Sequence, residues 1–353
     1  MNVLHIVGAR PNFMKVAPVV RALARKSGIK QTIVHTGQHY DVNMSAIFFA
    51  QLGIPAPDLN LEVGSSSHAR QTADIMSRLE LVVLESKPDM ILVYGDVNST
   101  VAAALVSAKL LIRVGHVEAG LRSFDRTMPE EINRVITDQI ADLLFTPSAD
   151  ADVNLEREGI PASKIYRVGN VMIDSLIRLL PQAEKMVVGD LPDRYALVTL
   201  HRPSNVDDEQ SLKGILESLL EVNAHLEVVF PMHPRTRRRI AHLDSYASKL
   251  RLLDPVSYIE FLALQRKATL VITDSGGIQE ETTFLGVPCL TVRANTERPI
   301  TVTLGTNVLI GQDREKLRQE VRRILEGKGK KGGIPPLWDG HAADRIAETI
   351  ARA

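Results

Sequence analysis

With 353 residues, the chain is too long for one typical hydrophobic core and long enough for two domains. Its 42 basic side chains balance 42 acidic ones, so bulk electrostatics offer no case for nucleic acid or an anionic membrane as partner. The hydrophobic share of 44% is that of a globular protein, and the single cysteine, Cys289, has no partner for an internal disulfide. The N-terminus carries no basic leader and no stretch is long enough to span a bilayer, so a cytoplasmic location is expected.

Residues 3–7 read as a buried parallel strand, followed by the turn Gly8-Ala9-Arg10-Pro11-Asn12 and a helix from about Phe13. Arg10 in the turn and Lys15 in the first helical turn run against the helix dipole, which favours anions there. They make sense if they face a bound phosphate. The turn is not a G-x-G-x-x-G fingerprint, so no dinucleotide cofactor follows. Residues 31–35 form the next strand and lead into a polar loop at 36–41. Helices are expected at 44–52 and 69–85. The strand at 90–94 opens onto Gly95-Asp96-Val97-Asn98-Ser99-Thr100, and an Ala-rich helix covers 101–111. The strand at 113–116 opens onto Val117-Glu118, and Glu130 follows in Met128-Pro129-Glu130-Glu131. Asp96, Glu118 and Glu130 thus stand at or beyond carboxyl ends of strands, the edge where open α/β sheets bind ligands. Singly, Asp96 can cap a helix, Glu118 can pair with Arg122, and Glu130 can be a first-turn glutamate after a proline. Three carboxylates on one rim, facing Arg10 and Lys15, are harder to explain structurally.

Strand and helix alternate to Gly169-Asn170, which closes a first domain at 1–170. The helix at 171–180 and the segment 181–192 carry the chain into a second domain, 171–339, and a last helix at about 342–352 is expected to pack back on the first. So short a crossover suggests two halves facing each other across a cleft. In the second half, the strand at 195–200 ends at His201-Arg202, where His201 can touch a phosphate or a leaving group or be satisfied by backbone. The apolar run 270–272 precedes Asp274-Ser275-Gly276-Gly277 and a helix at 278–284. Small residues at a helix start leave free N–H groups and a favourable dipole, which suits a diphosphate, although an ordinary capped turn reads the same way. Glu280 and Glu281, one turn on, would hold something other than phosphate, such as ribose hydroxyls. His35 and His39 have His-x-x-x-His spacing but fall at a strand end and in a loop rather than on one helix, and there is no cysteine pair, so no catalytic metal is expected.

Gly8-Ala9-Arg10-Pro11 with Lys15, Tyr94-Gly95-Asp96 with Asn98-Ser99-Thr100, His116-Val117-Glu118-Ala119-Gly120-Leu121-Arg122, Pro129-Glu130-Glu131-Ile132-Asn133-Arg134, His201-Arg202, Asp274-Ser275-Gly276-Gly277 and Thr296-Glu297-Arg298-Pro299 occur in this order. As a set they closely resemble the non-hydrolysing UDP-N-acetylglucosamine 2-epimerases, over roughly residues 3–350. The resemblance implies an α/β protein of two Rossmann-like domains in a glycosyltransferase-B-like arrangement, with the active site in the interdomain cleft. It implies reversible conversion of UDP-GlcNAc to UDP-ManNAc through elimination of UDP to a 2-acetamidoglucal and its re-addition, without cofactor. Elimination needs a diphosphate held by cations and helix N-termini and proton-transfer groups on both faces of the sugar. Arg10, Lys15, His201 and Ser275-Gly276-Gly277 suit the first need. Asp96, Glu118 and Glu130 suit the second. By the family pattern Glu281 would hold the ribose and Arg298 the nucleotide or its phosphates. The family also implies a homodimer and a product used for surface polysaccharide.

Gln38, His39, Arg70 and Gln71 match a second site at which many bacterial members are activated by UDP-GlcNAc. Those members carry His-Arg-Arg-Glu-Asn where this chain has His201-Arg202-Pro203-Ser204-Asn205, and loss of the charged pair is expected to weaken activation. The alternatives are a 2-epimerase of another UDP-2-acetamido sugar, such as a 2,3-diacetamido uronic acid, a hydrolysing epimerase, a UDP-sugar glycosyltransferase of the same fold, and a sensor that holds UDP-sugar without chemistry. Glu118 and Glu130 favour proton transfer over the last two.

Overall fold

The computed structural model describes residues 1–38, 52–232, 236–237 and 248–352, apart from the side chains of Arg10, Pro203 and Ser204. His39 and nearly all of the helix expected at 44–52 fall outside these residues. The chain divides into two units, Met1–Ser175 with Pro336–Ala353, and Leu176–Pro335.

The first unit alternates strand and helix: β1 (Asn2–Val7), α1 (Arg10–Ala24), β2 (Lys30–His35), β3 (Leu59–Asn60), α2 (His68–Ser86), β4 (Met90–Tyr94), α3 (Asn98–Lys109), β5 (Arg113–Val117), α4 (Pro129–Ile140), β6 (Leu143–Thr146), α5 (Ala149–Arg157) and β7 (Ile165–Arg167). The sheet order is β3-β2-β1-β4-β5-β6-β7, every pairing parallel. Strands buried on both faces read as unbroken apolar runs, and all of β4 is buried. Helix α3 is buried almost all round, its alanines letting it pack closely between α2 and α4.

A helix α6 (Val171–Lys185) leads into the second unit, which runs β8 (Tyr195–Thr199), α7 (Pro203–Val206), α8 (Glu209–Asn223), β9 (Glu227–Pro231), β10 (Arg251–Leu253), α9 (Tyr258–Lys267), β11 (Leu270–Thr273), α10 (Gly276–Leu285), β12 (Cys289–Thr291), α11 (Pro299–Thr303), β13 (Asn307–Leu309) and α12 (Arg314–Leu325). Its sheet order is β10-β9-β8-β11-β12-β13, again all parallel. The last helix, α13 (Ala342–Arg352), packs on α1 within the first unit. Asp174 caps it, accepting from Ala342 N at 3.2 Å and Ala343 N at 2.7 Å.

Three expected boundaries need correction. Helix α1 starts at Arg10, so Lys15 lies in its second turn, because Asn12 Oδ1 accepts from Gly8 N and Ala9 N and tightens the turn ahead of Phe13. Helix α3 starts at Asn98 rather than 101, with Thr100 Oγ1 donating to Tyr94 O at 2.9 Å. Helix α6 continues through Pro181 to Lys185. Ile173, Leu176, Leu179 and Ala183 keep one face buried past the proline, which offsets its lost backbone bond.

In both sheets the order of the strands reverses beside the first strand, at β1/β4 and at β8/β11. In doubly wound sheets the crevice at the carboxyl ends of such a strand pair is the ligand position. The start of α1, which follows β1, carries Arg10 and Lys15, and the turn after β4 carries Asp96. The turns after β8 and β11 carry His201, Arg202 and Asp274 to Gly277.

Candidate active site

At the first switch point, Asn12 fixes the turn after β1 to the end of β4 through Nδ2 to Tyr94 O at 2.8 Å. That places Lys15 under the Gly95-Asp96 turn. Gly95 has φ +63°, and a Cβ there would meet Lys15 Nζ at 2.6 Å, so glycine is required twice over. Lys15 Nζ donates to Glu118 Oε1 at 2.8 Å, and both residues are 5% exposed. Lys15, expected on a phosphate, is therefore already paired with one of the expected carboxylates. Glu118 in turn pairs with Lys15, while Arg122 pairs with Asp138 and Glu158. Glu118 has φ +73°, a left-handed conformation that is strained for a side chain of its size.

Asp96 does not cap α3, whose N-cap is Val97. Its Oδ2 accepts from Arg134 Nε at 3.0 Å and faces Nη2 at 2.8 Å, and a fifth of the side chain stays exposed. Arg134 is itself buried and also pairs with Glu131, which accepts from Ser123 N at 3.0 Å and Phe124 N at 2.8 Å. Glu130, next in the first turn of α4, is half-buried. Arg10 opens α1 by its backbone, and its side chain lies outside the described residues.

At the second switch point, the organising residue is Asp274, which is fully buried. It accepts from His201 N at 3.1 Å, Arg202 N at 2.9 Å and Asn205 Nδ2 at 3.0 Å, and it faces His201 Nδ1 at 3.1 Å. Burial pushes its carboxyl up, but His201, the Arg202 amide and Asn205 outweigh that and hold it below the usual range. With Nδ1 on Asp274, Nε2 is the His201 nitrogen left to meet a ligand, and 46% of this side chain is exposed. Helix α10 begins with N-cap Ser275 without a side-chain cap and with no acidic residue in its first turn, and residues 275–278 are half-buried. This is an N-terminus suited to an anion. Arg298 is 6% exposed and pairs with Glu280, Nε to Oε1 at 3.0 Å, and with Glu297. A Cβ on Gly276 would run into the Arg298 guanidinium and meet Glu297 Oε1 at 2.7 Å. Glu281 is 1% exposed. Its Oε1 accepts from Tyr258 Oη at 2.8 Å and its Oε2 from the Gln265 amide at 3.0 Å. Burial pushes its carboxyl up to about 7, opposed by the Tyr258 bond and aided by the neighbouring Glu280.

Of the residues matched to a second site, Gln38 and Gln71 are buried in a polar network. Gln38 Oε1 accepts from Ser99 Oγ at 2.7 Å, and Gln71 Nε2 donates to Gly64 O at 2.8 Å. Arg70 is largely exposed, and His39 lies outside the described residues. Among the described residues, no group of three or more His, Cys, Asp or Glu is arranged to hold a metal ion, and no helix is long and apolar enough to cross a membrane. Sequence reasoning assigns no role to Arg134 or Asp274. The strand-end position of Asp274 was a usable signal, whereas Arg134 sits mid-helix and only the fold brings it to Asp96.

The model of the family described as UDP-N-acetylglucosamine 2-epimerase matches residues 21–351. A UDP-N-acetylglucosamine 2-epimerase of Methanocaldococcus jannaschii is 44% identical, covering 99% of each chain. A UDP-2,3-diacetamido-2,3-dideoxy-D-glucuronate 2-epimerase of Pseudomonas aeruginosa is also 44% identical, covering 100% of each. The crystal structure of the Methanocaldococcus jannaschii UDP-GlcNAc 2-epimerase in complex with UDP-GlcNAc and UDP superposes with a TM-score of 0.93 at 43% identity, covering 100% of each chain.

Proposed function

Since the chain belongs to the UDP-N-acetylglucosamine 2-epimerase family, non-hydrolysing branch, and is a 2-epimerase and thus an isomerase, we propose that it interconverts UDP-GlcNAc and UDP-ManNAc by eliminating and re-adding UDP. In this reading the diphosphate rests on the helix start at Ser275-Gly276-Gly277, where Ser275 N is already bonded to Thr273 Oγ1 at 3.0 Å and the Gly276 and Gly277 N–H groups face the ligand, with Arg10, His201 and Arg298 supplying charge and Glu281 meeting the ribose. Departure of UDP is helped by His201 Nε2, the nitrogen not engaged by Asp274. Asp96, Glu118 and Glu130 exchange the C2 proton on the two faces of the sugar. Lys15 acts through Glu118 rather than on phosphate.

The observation that carries the reading is the Lys15–Glu118 pair beside the Asp96–Arg134 pair at one switch point. Two carboxylates, each held by its own cation, supply the acid and base that inversion of an unactivated carbon by elimination requires. Incubation with UDP-GlcNAc in D2O, followed by NMR, tests it. UDP-ManNAc carrying deuterium at C2, without net loss of UDP-sugar, is the expected result. Release of UDP and free ManNAc would refute the non-hydrolysing mechanism.

The Pseudomonas relative supports a second substrate, a UDP-2,3-diacetamido uronic acid, and offering both sugars to the enzyme decides between them by kcat/KM. The same reading takes the enzyme to be a cytoplasmic homodimer that supplies ManNAc units for a surface polysaccharide. Light scattering and fractionation test the first two points.

A further inference from the structure

The turns that carry Asp96 and Glu118 share one fixed point. His116, fully buried in β5, has Nδ1 2.6 Å from Asp138 Oδ1 and Nε2 2.8 Å from the carbonyl oxygen of Gly95. Asp138, fully buried on α4, accepts from Gly120 N at 3.1 Å and faces Arg122 Nη1 at 2.7 Å. Glu158 holds Arg122 from its other side, Nε to Oε1 at 2.8 Å and Nη2 to Oε2 at 2.7 Å. A backbone carbonyl only accepts hydrogen bonds, and so does an ionised carboxylate. Both ring nitrogens of His116 are thus engaged by oxygen atoms, and Asp138 is held between the ring and Arg122.

We propose that His116, a buried ring bridging Asp138 and the Gly95 carbonyl, is the positioning residue that holds the Asp96 and Glu118 turns in register for proton transfer. The proposal rests on the assignment of those two carboxylates above. Gly95 has the freest backbone of any residue type, so the Gly95-Asp96 turn needs bonds from outside to stay in place. His116 supplies one to Gly95 O, next to Asp96. Asp138 supplies another to Gly120 N, two residues after Glu118. Helix α4, which carries Asp138, also presents Arg134 to Asp96 and bears Glu130. One buried ion pair thus ties all three carboxylates to one helix.

The test uses the full chain labelled with 15N-histidine. A histidine is expected whose two ring nitrogens both show hydrogen-bonded 15N shifts. It should be missing in His116→Gln and shifted at Nδ1 in Asp138→Asn, where the partner of that nitrogen changes. Asp138→Asn is expected to lower kcat about 100-fold, as misplacement of catalytic groups by an ångström does, with KM changed by less than roughly threefold. If no histidine lost in His116→Gln shows both ring nitrogens hydrogen-bonded, or if Asp138→Asn raises KM and leaves kcat intact, the proposal fails. Should Asp138→Asn not fold, the wild-type and His116→Gln spectra still decide. Asp96→Asn serves as the separate control: it should abolish turnover and keep the His116 signal. If it stays active, the assignment of Asp96 is wrong, and the spectra still judge His116.

Discussion

Lys15 Nζ lies 2.8 Å from Glu118 Oε1, with both side chains almost wholly out of water and Glu118 held at φ +73°. A pair so buried stabilises little over an apolar one, but breaking it is costly. Lys15→Met is therefore expected to destabilise the protein by roughly 3–5 kcal/mol and to lose turnover, because Glu118 loses the buried cation bonded to its Oε1. Lys15→Met combined with Glu118→Leu should regain most of the stability and none of the activity. Urea midpoints and epimerisation rates measure both. If the single variant is as stable as wild type, Lys15 does not hold Glu118.

Glu281 predicts a pH effect of definite sign. Its carboxyl titrates at about 7 in the fold against an ordinary 4.5, chiefly through burial. Between those values the folded state binds the extra proton, so stability falls as pH rises from 4.5 and the loss is complete above 7. Glu281→Gln cannot ionise and escapes the penalty. Its melting temperature should exceed that of wild type at pH 8 by several degrees and match it near pH 5, since a stability gain of about 1 kcal/mol moves the midpoint of a large domain by roughly 2–4 °C. A variant less stable than wild type at pH 8 would mean that the carboxylate is better served in place than its burial implies. The same variant should bind UDP more weakly if the ribose contact holds.

The sheets were legible because parallel strands leave apolar runs, as residues 90–94 and 195–199 do. Helix starts were less so. The first turns of α1 and α3 are polar, with Asn12 and Thr100 bonded back to strand ends, and such turns carry no apolar period. Within the candidate site, the carboxylates announced themselves as acidic residues just past strands. Their partners did not. Lys15 and Glu118 stand 103 positions apart, and they meet only because Val3 aligns with Met90 and Met90 with Arg113 across β1, β4 and β5. Register of that kind follows from how whole strands pack.

The stretch His201-Arg202-Pro203-Ser204-Asn205 predicts simple kinetics. Asn205 is committed to Asp274 and to Val292 O, and Arg202 Nε to Asp274 O, so this turn is spent on holding itself in place. Pro203 and Ser204 bring no charge to a second nucleotide. The rate with UDP-ManNAc alone should rise hyperbolically, and traces of UDP-GlcNAc should leave it unchanged. A sigmoidal curve that UDP-GlcNAc relieves would show that activation survives the replacement.

Gly276 tests the diphosphate seat directly. It is the first residue of α10, and a methyl group there would press on the Arg298 guanidinium and on Glu297. Alanine is a better helix former than glycine by roughly 0.5–1 kcal/mol, so on local propensity Gly276→Ala should not unfold the domain. It should, however, displace Arg298 and cover the N–H groups on which the diphosphate is proposed to sit. UDP affinity measured by calorimetry should fall at least tenfold, or about 1.4 kcal/mol. The melting temperature without nucleotide should also fall, because Arg298 is pushed from its buried pairs with Glu280 and Glu297, so affinity is measured well below the variant's midpoint. If UDP binds the variant as tightly as wild type, the diphosphate is held elsewhere, and the N-terminus of α10 is an ordinary capped turn.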